Sequence, residues 1–362
     1  MAPPIRDEDE APDAPAAEEG ENDELGALLD RGWELLGKNE WEAAAISARE
    51  ALAIEGRSPE ALTLIGAVHA AKGEEDEALA SYRKAMKADP EYVAPLLYCA
   101  ELLVWPREEY DEALRLIEKA LERAEDEDDF VDAVLLKAET LLAMEADPRE
   151  IRDTLEELPP VDFEDGGFHL RAARVWVELE DDVAAEEQYK KALDRLGDGT
   201  AESGDIWHGL GLVYELREDR ASQVRAWLKV RELDLAADPP EFSMTDEQFE
   251  AVAEETLAEL PDRIRGLLAN VPIVSGDYPS LEIVAEGNDP RMLGFFSGVP
   301  YPEKSAVGSP PHLDCVFLYK RNIERVAGDL EEVHKEIRIT LLHETGHFFG
   351  LSEEELEAMG LG

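Results

Sequence analysis

Two histidines lie four residues apart near the end of the sequence, in the stretch His343-Glu344-Thr345-Gly346-His347. On a helix, residues at this spacing share one face, so both imidazoles can hold the same ion. Zn²⁺ accepts neutral imidazole nitrogens, and in catalytic sites it keeps one position for a water whose pKa it lowers to about 7. Glu344 is placed to take the proton from that water. The chemistry indicated by these residue types is amide hydrolysis.

Such a site needs a third ligand, and the sequence offers several. Only 15 residues follow His347, which leaves no room for the second helix that supplies the third ligand in zinc proteases of the thermolysin kind. Gly350 is expected to turn the chain back under the metal, and Glu353 then takes the third-ligand place of the pattern H-E-x-x-H-x-x-G-x-x-(H/D/E). The alternative for this acidic run is that it only caps a short terminal helix. Other candidate ligands are Glu354, Glu355, Glu357, His312 and His334.

The two histidines are predicted to lie at the end of a helix. Asp329 and Glu332 have the spacing of an N-cap and its reciprocal partner, and Gly350 stands where helices commonly end in a left-handed turn. An earlier helix opens at Thr245 and Gln248, which have capping-box spacing. The histidines are therefore expected on a rigid element with a defined end.

Between these two helices, short segments are predicted to be strands. They are bounded by Gly, Pro, Asn or Asp and are rich in β-branched and aromatic residues. The segments are NVPIVSGD, LEIVAEG, RMLGFFSG and LDCVFLYKRNI. We therefore predict a small α+β domain over residues 244–362, preceded by a proline-containing linker at 239–243.

An internal repeat occupies residues 25–238. In ALTLIGAVHAAKGEEDEALASYRKAMKADP, Gly66 and Ala78 let two antiparallel helices approach closely, Tyr82 fills the gap between them, and Pro90 ends the second helix. Weaker copies before and after it predict about five or six helical pairs, each burying its face on its neighbours. The segment resembles tetratricopeptide repeats. That resemblance implies an all-α solenoid that binds a protein or peptide partner, and the alternative is that the repeats only pack against the chain's own C-terminal domain.

From about residue 244 onward the sequence resembles the zincin-like metallopeptidases, described as minimal matrix-metalloprotease-like zincins. The matching stretches are LGFFSGVPYPEKS, CVFLYKRNI and LLHETGHFFGLSEEEL. The resemblance implies that His343, His347 and Glu353 bind zinc and that Glu344 is the catalytic base. It also implies that GFFSG forms an edge strand on which an extended substrate docks, the alternative being an interior strand.

Three positions depart from this family pattern or match it only loosely. Phe348 stands where members often carry a histidine directly after the second ligand. Glu353 stands where they often carry aspartate, which changes the reach of the ligand but not its charge. Met359 is interpreted as a plain apolar contact rather than the methionine turn of metzincins.

The composition limits the classes of partner that the protein is expected to bind. The net charge is −51, from 86 acidic and 35 basic residues, and this field repels the phosphates of nucleic acids and anionic lipids. The same field favours the binding of basic peptides. The alternative is that the acidic residues only form a solvated surface. The two cysteines, Cys99 and Cys315, are far apart and indicate neither a disulfide framework nor a thiolate metal site. Residues 1–24 are rich in acid and proline without an apolar segment, so we predict a disordered acidic leader and a cytoplasmic protein.

Together these patterns predict a multidomain protein, in which an all-α tetratricopeptide-like solenoid is followed by a small α+β zincin-like domain. The predicted function is a zinc-dependent metallopeptidase whose solenoid binds a protein substrate or partner, with no role for nucleic acid or membrane. The alternative is a non-catalytic scaffold whose zincin-like domain is structural or inactive, or a pure tetratricopeptide adaptor.

Overall fold

The computed structural model describes residues 16–105, 107–160, 162–199, 201–240, 242–299 and 314–360. These residues form eighteen helices and three strands. The chain divides into two compact units, residues 1–163 with 178–180, and residues 164–177 with 181–362. Among the described residues, no helix has both the length and the apolar composition needed to cross a membrane.

The first unit contains helices that pack in consecutive pairs. The first of them begins inside the segment predicted as a leader, and residues 1–15 lie outside the described residues. The eight helices are α1 (Ala16–Gly37), α2 (Trp41–Ile54), α3 (Pro59–Ala71), α4 (Glu75–Ala88), α5 (Ala94–Val104), α6 (Tyr110–Arg123), α7 (Glu127–Ala143) and α8 (Pro148–Leu155).

The second unit opens with two further helical pairs and continues into a mixed α+β region. The pairs are α9 (Gly166–Glu178) with α10 (Asp182–Leu196), and α11 (Ala201–Leu216) with α12 (Arg220–Ala236). The α+β region consists of α13 (Asp246–Glu259), α14 (Asp262–Leu268), β1 (Ile273–Gly276), α15 (Leu281–Ala285), β2 (Gly294–Ser297), β3 (Cys315–Tyr319), α16 (Lys320–Val326), α17 (Leu330–Phe348) and α18 (Glu353–Glu357).

Small residues allow the paired helices to approach each other closely. A Cβ atom at Gly66 would lie 2.3 Å from Cε1 of Tyr82, and one at Gly211 would lie 2.0 Å from Nε1 of Trp227. Both aromatic rings are almost fully buried. The large side chain of one helix therefore occupies the space left by glycine on its partner, as expected for tetratricopeptide-like packing.

The turns between the two helices of each pair repeat the same backbone conformation. One residue with positive φ lies in every such turn, and five of the six are not glycine. These residues are Asn39, Gly73, Glu108, Glu145, Glu180 and Glu218. Their recurrence identifies six structural repeats, at the upper end of the predicted number.

The three strands form a sheet in the order β1-β3-β2. β1 runs parallel to β3, while β2 runs antiparallel to β3 with Gly294 opposite Leu318. One face of the sheet packs against α17 and α13 through a core that includes Phe249, Leu318 and Ile337. The sheet and α13 thereby hold α17 along its buried face. This region is the small α+β domain, and its fold class is as predicted.

Two details of the strand prediction are wrong. The segment LEIVAEG forms helix α15, because Oγ of Ser280 accepts a hydrogen bond from the Ile283 N–H and caps the first turn. Val284 of this helix is buried against Trp227 and Val230, so tertiary packing overrides its β-branched composition. In LDCVFLYKRNI the strand ends at Tyr319, and the KRNI portion belongs to α16.

Candidate metal centre

Helix α17 carries both histidines and is capped as predicted at its first turn. Oδ1 of Asp329 accepts hydrogen bonds from the N–H groups of Glu331 and Glu332 at 2.8 and 2.9 Å. The Glu332 carboxylate reaches back to the N–H of Gly328 at 2.7 Å, one residue before the cap. The helix then continues for 19 residues to Phe348.

A tight turn follows α17 and starts α18. Gly350 adopts a left-handed φ of 79°, and the N–H of Leu351 donates to the carbonyl of Gly346 at 3.1 Å. Ser352 then caps α18 with a reciprocal capping box to Glu355. Glu353 is the first residue of α18, so the turn places its carboxylate beside the end of α17.

Gly346 sets the distance between these two helices. A Cβ atom at this position would lie 2.4 Å from Cδ2 of Leu356, whose side chain is fully buried. Only a glycine on this face of α17 lets α18 pack at the observed distance. The residue between the two histidines therefore has a structural role that the sequence analysis did not assign.

His343, His347 and Glu353 bring their polar atoms together. The two Nε2 atoms lie 3.0 Å apart, and the Glu353 carboxylate oxygens lie 3.3 Å from Nε2 of His343 and 3.2 Å from Nε2 of His347. Ligands about 2.0–2.2 Å from a tetrahedral Zn²⁺ are themselves about 3.3–3.6 Å apart. The donor set suits a zinc ion, and the three side chains, whose ligand atoms all lie within 4.8 Å of one another, need to separate by only about 0.5 Å to reach this spacing.

A backbone carbonyl fixes the orientation of His347. Nδ1 of His347 lies 3.3 Å from the carbonyl oxygen of Leu351. When Nδ1–H donates to this oxygen, Nε2 keeps its lone pair, and Nε2 is the nitrogen that faces His343 and Glu353. The turn after α17 therefore selects the tautomer that can bind a metal.

Glu344 lies beside the cluster but is buried, with 7% of its surface exposed. Burial raises the pKa of its carboxyl group; the two histidines and a hydrogen bond from the Phe296 N–H oppose this, and the net shift is upward. β2 approaches closely here, because a Cβ atom at Gly294 would lie 2.8 Å from Cγ of Glu344. The edge of the sheet and the end of α17 together position this carboxylate.

The remaining candidate ligands lie elsewhere. Glu355 is occupied by the capping box with Ser352, and Glu354 and Glu357 do not join the cluster. His334 is exposed and lies on α17 about 13 Å before His343 at 1.5 Å per residue. His312 lies outside the described residues, as does the stretch PYPEKS. Met359 is 63% exposed, so most of its side chain is not buried.

Phe348 has a packing role at the position where the resembling family often carries histidine. It is 1% exposed, and its ring contacts that of Phe296 edge-on with centroids 5.9 Å apart. The side chain therefore points into the core against β2 rather than toward the histidines, and the departure leaves the ligand cluster intact.

A cavity of about 540 Å³ opens beside the cluster. Met292, Phe295, Phe296 and Leu351 give it an apolar lining, and His343, Glu344, His347 and Glu353 add the polar side. β2 forms one wall, and among the described strands it pairs on one side only. Within the described sheet, the GFFSG segment therefore forms an edge strand rather than an interior strand, the first of the two alternatives given for it.

One family model matches the C-terminal part of the chain. Residues 268–362, about a quarter of the sequence, match the family model described as zincin-like metallopeptidase. No significant match is found among curated proteins.

The similar solved structures cover the helical repeats. A Pseudomonas aeruginosa protein titled pilF is 20% identical, with a TM-score of 0.48, over 59% of this chain and 93% of that one. PilW, titled a type IV pilus biogenesis factor, is 13% identical, with a TM-score of 0.48, over 59% and 95% of the two chains. YrrB, titled a TPR protein with an unusual peptide-binding site, is 17% identical, with a TM-score of 0.37, over 52% and 93%. The repeat fold is assigned to this chain from its own helical pairs, described above.

Proposed function

We propose that the protein is a zinc-dependent metallopeptidase, in which His343, His347 and Glu353 hold the metal and Glu344 is the general base. The observation that carries this proposal is the cluster of two Nε2 atoms and one carboxylate within 3.0–3.3 Å of one another, with a second, buried carboxylate beside it. The match of residues 268–362 to the zincin-like metallopeptidase family supports it. A Zn²⁺ bound there would act as a Lewis acid on a carbonyl group and acidify a water molecule.

The protein's own groups account for proton transfer and substrate alignment. Glu344 accepts the proton of the attacking water and returns it to the leaving amine. The Phe296 N–H holds this carboxylate by a hydrogen bond, which limits its rotation. The edge of β2 that pairs with no other described strand offers backbone groups to an extended peptide, and the apolar lining of the cavity accepts a side chain next to the cleaved bond.

The test combines metal analysis with two substitutions in the full chain. The wild-type protein is expected to hold about one zinc per chain and to cleave a peptide library. Glu344→Gln should keep zinc and abolish cleavage, while Glu353→Ala should lower zinc affinity. Glu354→Gln, the next acidic residue on α18, is the matched control and should change neither property.

The outcomes separate the candidate functions. Zinc binding without cleavage by any variant supports the alternative of a structural or inactive zincin-like domain. Absence of zinc binding by the wild-type protein overturns both metal-dependent functions and leaves an adaptor. Unchanged zinc affinity in Glu353→Ala would refute the assignment of the third ligand.

We further propose that the repeats of the first unit bind a basic segment of a protein partner. The rings of Trp33 and Tyr98 stack with centroids 5.9 Å apart, and Tyr82 stacks on the other side at 5.8 Å. Burial, followed by the nearby carboxylates of Asp132 and Glu101, raises the pKa of Tyr98. Tyr98 is covered on both faces, so the half-buried Trp33 at the end of the stack is the ring that would meet a cationic side chain near these carboxylates.

A fluorescent lysine-rich peptide tests this second proposal. Trp33→Ala should weaken its binding about 10-fold, and higher salt should weaken it further. Trp105→Ala is the control, since Trp105 is already 55% exposed on the same unit. Equal affinity of both variants and the wild-type protein would contradict an aromatic binding surface.

A further inference from the structure

The segment that leads into β2 is held by the last two repeat helices. Nη1 of Arg291 donates to Asp205 of α11 at 2.7 Å, while Nε and Nη2 donate to the two carboxylate oxygens of Asp234 of α12 at 3.0 and 3.1 Å. Nε2 of His208 lies 3.0 Å from both oxygens of Asp289. Asp289 and Arg291, which belong to the same short loop, are thus held by side chains of α11 and α12.

The arginine link is largely shielded from water. The side chain of Arg291 is 12% exposed and that of Asp234 is 5% exposed. A Cβ atom at Gly204 would lie 2.9 Å from Nη2 of Arg291, so α11 leaves room for the guanidinium group. A bidentate contact in such surroundings fixes both the distance and the orientation of its partners.

Other contacts extend the same surface. Val284 of α15 is buried against Trp227 and Val230 of α12. The hydroxyl of Tyr278 donates to the carbonyl of Asp234 at 2.8 Å, and Nε of Arg231 donates to the carbonyl of Pro279 at 2.7 Å. The loops on both sides of α15 therefore rest on α12.

The loop is also tied to the remainder of the α+β region. Nδ2 of the fully buried Asn322 donates to the carbonyls of Pro290 and Met292 at 2.8 and 2.7 Å. Residues 288–293 contain no helix or strand, so side-chain contacts of this kind determine where they lie. Met292 already lines the cavity, and β2 begins at Gly294.

We propose that Arg291 is a positioning residue, through which helices α11 and α12 hold β2 against Glu344 and the ligand cluster. These two repeat helices then serve as part of the catalytic unit as well as of the repeat array. A partner that displaces them would change the alignment of the base and of the substrate strand. The proposal rests on the proposed function for its catalytic consequence, but its structural content is testable without activity.

The test measures amide hydrogen exchange in the full chain, with and without zinc. Arg291→Gln should raise exchange about 10-fold or more in peptides that cover residues 288–299, because the loop loses its fixed contacts. Exchange in α18 and the zinc affinity should stay within about 2-fold, because the three proposed ligands lie on α17 and α18 and are distant in sequence from the loop. Arg291→Lys, which keeps a charge but not the bidentate contact, should restore part of the protection.

Two further variants keep the test decisive. Arg217→Gln is the matched control, since Arg217 pairs with Asp182 and Glu186 between α10 and α11 and does not touch the loop. If Arg291→Gln fails to fold, Asp205→Asn removes the negative charge that faces Nη1 of Arg291 and the more distant Arg174, and it should give a smaller rise in the same peptides. Unchanged exchange over 288–299, or the same rise in Arg217→Gln, would overturn the proposal.

Peptidase assays separate this inference from the proposed function. With an active enzyme, Arg291→Gln should lower kcat about 10-fold or more, since small displacements of catalytic groups are costly. A normal kcat in a variant whose loop exchanges rapidly would overturn the positioning role. If the wild-type protein does not cleave peptides, the proposed function fails, while the exchange experiment still decides whether α11 and α12 hold β2.

Discussion

Replacing Gly346 by alanine tests whether the spacing of α17 and α18 sets the metal-ligand cluster. The added Cβ atom would lie 2.4 Å from Cδ2 of Leu356, whereas carbon atoms in contact are about 3.5–4.0 Å apart. Leu356 is fully buried among neighbouring side chains, so we expect the clash to be relieved by a shift of α18 of about 1 Å rather than by rotation of the leucine alone. Metal ligands tolerate errors of only about 0.2 Å, so Glu353 would leave the cluster.

Two opposing terms set the expected stability of Gly346→Ala. An alanine inside a helix is favoured over glycine by about 1 kcal/mol, while overpacking costs about 1–3 kcal/mol. The free energy of unfolding without metal should therefore fall by at most about 2 kcal/mol. Zinc affinity should fall about 10- to 100-fold, the usual effect of disturbing the groups that orient a ligand.

The assay is a zinc titration against a competing chelator, together with thermal unfolding of the metal-free protein. Gly266→Ala is the control, because nothing lies within 4 Å of a Cβ atom at that position in α14; it should raise stability and leave zinc affinity unchanged. Adding Leu356→Ala to Gly346→Ala should recover part of the lost affinity. The reasoning is refuted if Gly346→Ala binds zinc like the wild-type protein and gains stability like Gly266→Ala.

Three other predictions follow from the packing and charge of individual residues. Gly294→Ala places a Cβ atom 2.8 Å from Cγ of Glu344, so kcat should fall about 10-fold or more while zinc stays bound; loss of zinc with normal turnover per bound metal would contradict this. Gly66→Ala places a Cβ atom 2.3 Å from the ring of Tyr82 and should lower the urea midpoint by an amount equivalent to about 1–3 kcal/mol without changing zinc affinity, and an unchanged midpoint would show that the repeats can relax. Burial and neighbouring carboxylates raise the pKa of Asp129 from 3.8 to about 6, so its charge destabilises the fold above pH 6 and this penalty disappears as the pH falls below about 4. Asp129→Asn should therefore raise Tm at pH 7.5 but not at pH 3.5, and an equal rise at both values would exclude the carboxylate charge as its cause.

The elements governed by local rules could be predicted from the sequence. The capping box of Thr245 and Gln248 is present as predicted, and the cap at Asp329 fixes the start of the helix that carries the histidines. In the repeats, a glycine packed against a large aromatic ring, as in Gly66 and Tyr82, identifies a helical pair, because both residues belong to the same repeat. These signals need no knowledge of distant parts of the chain.

Features that depend on distant contacts could not be predicted. The pairing of Arg291 with Asp234 joins residues 57 positions apart, and neither residue belongs to a periodic pattern. From the sequence, the third ligand could not be chosen among the closely spaced acidic residues that follow Gly350. In the structure, the capping box occupies Glu355 and the buried Leu356 fixes the rotation of α18, so Glu353 is the carboxylate that faces the histidines.

The proposed metal ligands and the proposed base depend on parts of the chain that are separated by different distances in the sequence. The three proposed ligands come from α17 and the first residue of α18, so bringing them together closes a short loop at small entropic cost. Glu344, in contrast, is aligned by Phe296 on a strand far earlier in the sequence. If these residues hold zinc as proposed, a partly unfolded chain that keeps only the closing helices would retain the ligands, and binding to such states would reduce how much the metal stabilises the native protein. Zinc would therefore guide the folding of the last two helices without guaranteeing a correctly assembled active site.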